Sequence, residues 1–207
     1  MKRVLGFYAL PLRIMVRPFS GFYEMKYENK GTVRLALFNF LLVCISYSFS
    51  NQYASVLVND RHPHALNSFM DFQMLTAALI LFCVSNWSVT TLTDGEGRFK
   101  DVLMAVCYAM TPLILTMVPA AILSNFLSAE ETGLYFLLMG TGMVYFIILV
   151  FAGLVTVHNY GAAKAVITVF LTFIAMLIIV FLLALMLTLW HQLVGFVMSV
   201  YTELTFR

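Results

Sequence analysis

The sequence predicts an all-α, polytopic integral membrane protein: a bundle of five transmembrane helices behind a short, basic, interfacial N-terminal segment. Three observations carry that prediction. Of 207 residues, 62% are hydrophobic and 11% charged, where a soluble domain has about half and about a quarter; mean hydropathy is +0.93. A chain this apolar could hide its surplus from water only by having almost no surface, so its solvent is lipid. Five windows carry no charge at all, 35–59, 72–93, 102–129, 132–157 and 165–190. Each reaches the roughly 20 residues that cross a hydrocarbon core of about 30 Å. The windows are long and continuous rather than alternating segments of about ten residues, so helices and not barrel strands satisfy the backbone.

Taken in order, residues 1–34 form the interfacial segment and 35–207 the transmembrane domain. "MKRVLGFYALPLRIMVRPF" mixes aromatic and aliphatic residues with basic ones, the composition of an element lying on an anionic leaflet. Arg13 and Arg17 are four apart and share a face if the segment is helical. "SGFYEMKYENKG" predicts a short helix begun near Ser20 and closed by Gly31 in the left-handed conformation. Pro11, Arg13 and Arg17 interrupt the first apolar run, so no cleavable signal is expected.

The first loop, "NDRHPHALNSFMD", sets His62 and His64 near Asp60. Metal sites need three or four ligands, so a solvated loop is the reading and no metal is expected. Cys44, Cys83 and Cys107 all fall inside windows, where thiols pack as small hydrophobes. No disulfide framework or zinc site follows from them. Neutral polar residues such as Asn39, Asn86 and Thr111 read as hydrogen-bonding glue between helices, and His158 and His191 as wet residues at span ends.

The second connection, within "TLTDGEGRFKDVLMAVCYAMTP", holds five charges between Asp94 and Asp101. Gly95 and Gly97 permit a tight turn between antiparallel spans, Arg98 and Lys100 fix its side of the membrane, and Phe99 sits at headgroup level. Pro112 and Pro119 bend the third span. The Glu130–Glu131 pair separates the third and fourth spans. Gly133 and Gly140, seven apart, stack on one face of the fourth and allow a neighbour to approach.

Basic residues give orientation. Ten lie before the first span or in the second and fourth connections, against only Arg61 and Arg207 on the other side. The positive-inside rule then places the N-terminus in the cytoplasm and the C-terminus outside a cell membrane.

Catalytic readings fail on inventory. Glu130–Glu131 lacks the helical Arg of a glutamate-type intramembrane protease, no Ser occupies a Gly-flanked turn with a His base, and "DGEGRFKD" ends without the G-K-[ST] of a P-loop. Nor does it follow the order of a calcium loop. No catalytic residue, cofactor or nucleic-acid partner is expected. The windows contain no ionisable residue of the kind that marks a proton or substrate path, and no repeat pairs the halves as in many carriers. A protein that binds other membrane proteins fits better than an independent channel or carrier for a small solute, or a membrane-organisation or trafficking factor.

A span ending near Trp87, the charged Gly-rich turn, a G-Y-x-x-x-P-type element written here Cys107-Tyr108-Ala109-Met110-Thr111-Pro112, "LSNFL" and "HNYGAAKA" together resemble the Yip (Ypt-interacting protein) domain family over roughly residues 35–190. The resemblance implies five spans and a cytoplasmic N-terminus. The long Pro- and Gln-rich N-terminus and D-L-Y-G-P motif of eukaryotic members are missing, so binding of Rab-type GTPases is not carried over. "RPFSGFYEMKYENKGT" looks instead like the start of bacterial members, whose genes often neighbour carbohydrate ABC importers. That implies an accessory or scaffold subunit in contact with importer permease subunits. Gly95, Gly97, Arg98, Phe99, Lys100, Tyr108 and Pro112 are the candidate partner-binding residues.

Overall fold

A computed structural model describes residues 10–59 and 67–206. These are helices joined by short connections, with no strand among them. Residues 10–16 (α1) and Pro18–Lys26 (α2) precede α3 (Val33–Tyr53), α4 (Ser68–Leu92), α5 (Phe99–Ala109), α6 (Thr111–Ser124), α7 (Thr132–His158) and α8 (Ala162–Thr205). With α5 and α6 taken as one broken span, five helical segments are long and apolar enough to cross a membrane. The His62/His64 loop lies outside the described residues.

The starts of these helices are written locally. Thr32 accepts the N–H of Leu35 at the head of α3, and Asn67 accepts those of Phe69 and Met70 at the head of α4. Each side chain satisfies a donor that the first turn leaves unpaired. At the expected break, Ser128 and Glu131 form a capping box around the 3₁₀ turn Ala129–Glu131.

In lipid, apolar burial does not drive helices together, so close packing and hydrogen bonds must; an interhelical bond contributes about 0.6 kcal/mol on average. Asn39, buried on α3, shows how the few such bonds are spent. Pro112 has no N–H, which strands the Tyr108 carbonyl four residues earlier. The Thr111 hydroxyl replaces the missing donor at 2.7 Å, and the Asn39 amide takes the neighbouring Cys107 carbonyl at 2.7 Å. The third span is therefore two rods whose joint is bridged by side-chain donors rather than one bent helix.

Glycine packing differs from expectation. A Cβ at Gly133 or Gly140 would meet nothing within 4 Å; Gly140 lines an outward groove of about 370 Å³ between α6 and α7. The close approaches are at Gly142, against Thr116, and Gly153, where a Cβ would lie 3.1 Å from the Phe22 ring. Spacing along the helix was the wrong criterion because it ignores which face has a neighbour.

The N-terminal segment is seated in the bundle. α2 packs on α7, Ile14 and Phe22 are fully buried, and the Tyr145 hydroxyl donates to the Met15 carbonyl. The helix expected from Ser20 begins at Pro18, and its left-handed residue is Asn29 rather than Gly31. The last helix runs to Thr205, well past the expected end at residue 190.

Candidate functional site

α2, α4 and α7 end on the same face of the bundle, here called the turn face, and each is followed by a left-handed residue: Asn29, Asp94 and Asn159, with φ of 52°, 53° and 55°. The Gly95 N–H closes onto the Thr90 carbonyl at 2.8 Å, and the Tyr160 N–H onto that of Val155 at 3.0 Å, the longer of the two bonds in a Schellman ending. The strained conformation of the charged turn thus falls on Asp94. No described glycine has positive φ, so Gly95 and Gly97 serve another purpose than a left-handed turn.

That purpose is room. A Cβ on Gly95 would lie 2.7 Å from His158 Nδ1, and one on Gly97 would lie 2.6 Å from Val157 Cγ1 and 2.7 Å from His158 Cε1. His158, expected to be wet, is buried. Its Nδ1 accepts the Gly97 N–H at 3.3 Å, which puts the ring proton on Nε2, 3.2 Å from Asn86 Oδ1. Asn86 donates onward to Thr172 Oγ1 at 3.1 Å. One chain of hydrogen bonds therefore joins the turn to α7, α4 and α8. Tyr160 stacks on the imidazole at 5.4 Å between centroids and reaches across to Thr93 with its hydroxyl.

Glu96 gathers the rim. Its carboxylate accepts from Asn159 Nδ2 at 3.3 Å, from the Tyr27 hydroxyl at 3.2 Å and from Lys26 Nζ at 3.4 Å. These donors, Asn159 foremost, hold it below the usual carboxylate range. Lys26 also donates to the Val157 carbonyl at 2.7 Å. Behind it, the buried Glu24 pairs with Arg13 at 2.8 Å and Lys30 at 3.1 Å, so α1, α2 and the strand of chain after them act as one unit. The hydrogen bond that Lys30 donates to Glu28, then the one it donates to Glu24, raises its ammonium above the ordinary range.

The seven sequence-predicted residues divide into three groups. Gly95 and Gly97 are packed inward. Arg98, Phe99 and Lys100 are exposed and adjacent, held by the Asp101 carboxylate, which accepts the Arg98 N–H at 3.1 Å, and by the edge-on contact of Phe99 with Trp87. Neither Arg98 nor Lys100 pairs with a carboxylate among the described residues. Tyr108 and Pro112 lie inside the bundle: the Tyr108 hydroxyl donates to the Thr32 carbonyl and accepts its N–H, at 3.0 and 3.2 Å. They brace the site from behind and are not on its surface. Sequence reading missed Lys26, Tyr27, His158 and Asn159; the only signal was "VHNYG" at the end of a span, a helix-stop pattern. No cluster among the described residues has the composition of a metal site.

A five-span helical bundle with a braced turn at one membrane face defines a multi-pass α-helical membrane protein. The chain belongs to the Yip1 family: the Yip1 domain model matches residues 12–201. The match extends beyond 35–190 at both ends and takes in the seated N-terminal segment. Comparison with curated proteins and with solved structures finds no match in either.

Proposed function

We propose that this protein is a non-enzymatic membrane adaptor that binds another integral membrane protein through Arg98, Phe99 and Lys100, on the cytoplasmic side of a cell membrane. One observation carries the reading. The segment bearing these three side chains is fixed from below by Glu96, His158, Gly95 and Gly97, yet the charges of Arg98 and Lys100 have no carboxylate partner among the described residues. A turn needing only to connect two spans has no use for such bracing. A contact surface does, because a preorganised loop loses less entropy on binding. The ten-to-two distribution of basic residues supports the sidedness.

The test reverses the two charges with Arg98→Glu and Lys100→Glu in a tagged copy, purified from native membranes in mild detergent and analysed by mass spectrometry. Gly95 and Gly97 are unsuitable targets, since a side chain there collides with His158. Loss of a stoichiometric membrane partner at unchanged protein level is the expected result, and importer permease subunits among the lost proteins would identify the accessory-subunit role. Full recovery of the same partner by the double variant would overturn the reading.

A further inference from the structure

We infer that α1 and α2 form a half-span, a helical hairpin sunk into the lipid of the turn-face leaflet instead of lying on its surface. The two helices are folded back on each other. Arg13 and Glu24 would be about 16 Å apart along one helix at about 1.5 Å per residue, yet they pair at 2.8 Å. A Cβ on Gly21 would lie 2.9 Å from the Ile14 Cα, so the backbones touch there. The bend falls at Arg17, with φ of -137° and ψ of 78°, just ahead of Pro18.

Three contacts set the depth. Lys26 donates to the Val157 carbonyl, the Phe22 ring lies against Gly153, and the Met15 carbonyl accepts from the Tyr145 hydroxyl. From Lys26 toward the bend, the partners on α7 thus move back from its end by twelve residues, about 18 Å. Half a hydrocarbon core is about 15 Å. Tyr145 is also the middle residue of α7, Thr132–His158, a helix that crosses the membrane. The bend therefore reaches toward the mid-plane.

Lipid is what surrounds it at that depth. The outward side chains Leu12, Val16, Phe19 and Tyr23 are 52–81% exposed, and α7 beside them shows Val144, Ile147 and Ile148 outward at 51–58%. The outer face of the hairpin thus continues the lipid-facing surface of a span. Its backbone is closed where the chain bends, as lipid demands. The Arg17 N–H bonds the Arg13 carbonyl at 2.8 Å and the Gly21 N–H bonds that of Arg17 at 2.9 Å. Pro18 has no N–H to satisfy, and Tyr145 serves Met15. Arg13 and Lys26 pair with Glu24 and Glu96. Arg17 has no carboxylate partner among the described residues; its long stem lets the guanidinium reach back toward headgroup phosphates.

Spin labels on Val16→Cys, Phe19→Cys and Tyr23→Cys, made singly, test this in the full chain reconstituted into liposomes. Cys44, Cys83 and Cys107 are buried and take up little label, and the three new sites face outward. Collisions with oxygen, which concentrates in hydrocarbon, are compared with those of a water-soluble nickel chelate. The oxygen-to-nickel ratio should rise from Tyr23 through Phe19 to Val16 and end at least tenfold above that of Glu28→Cys. Equal ratios at the three sites describe a hairpin flat on the surface and would overturn the proposal. Labels shielded from both reagents would overturn it too, because a protein would then cover this face.

Discussion

At the turn face, Glu96 accepts from three donors on two elements and His158 joins Gly97 to Asn86. At the opposite end, α8 leaves the bundle with every described side chain past Trp190 exposed. The outer ends of α3, α4 and α6 are tied to one another, Asn51 to Asp71 at 3.0 Å and Asn125 to the Tyr53 carbonyl at 2.8 Å, but the described side-chain hydrogen bonds of α8 past Trp190 stay within that helix. The difference teaches what holds a bundle together in lipid. Where hydrophobic attraction between helices is absent, rigidity follows hydrogen bonds, and an end without them is fixed only when something docks on it.

The most damaging way to break this contrast is His158→Leu. It keeps the volume roughly but leaves the Gly97 N–H and the Asn86 amide oxygen unpaired in a buried site, at about 1–3 kcal/mol for each group. The expected outcome is a strongly lowered midpoint in detergent unfolding and proteolytic cleavage within 94–98, whereas Ser199→Ala on α8 should move neither. Next comes Tyr108→Phe, which removes both bonds to Thr32 and should cost about 1–2 kcal/mol, seen as faster hydrogen exchange at the start of α3. The smallest effect is the acid response of Glu96. Its pKa is depressed in the folded protein, so its contribution is present above the ordinary Glu value of about 4.3 and is lost as pH falls through the lower, folded value. Turn-face protection should weaken in that acid window, and Glu96→Gln should flatten the dependence.

The five spans were legible because lipid imposes its demand residue by residue: an apolar window longer than the bilayer core has no other reading. The turn was legible as a place but not as a mechanism. Asn29 and Asp94 take the left-handed conformation where Gly31 and the turn glycines were expected to supply it, since short polar side chains tolerate it, and Gly95 and Gly97 answer instead to the bulk of His158. Nothing local shows that His158 is buried. Its burial depends on Asn86, 72 residues earlier, and on Gly97, 61 residues earlier. Likewise Gly142 and Gly153 matter only because Thr116 and Phe22 happen to face them.

The seating of the N-terminal segment carries a consequence for biosynthesis. Met15 waits for Tyr145, 130 residues later, and Lys26 for Val157, 131 residues later. At about 5–20 residues per second, synthesis of that interval takes roughly 7–26 s. The part of the chain that leaves the ribosome first is therefore among the last to find its place, and for those seconds Phe22 and Ile14 depend on the membrane surface, or on a chaperone, for cover.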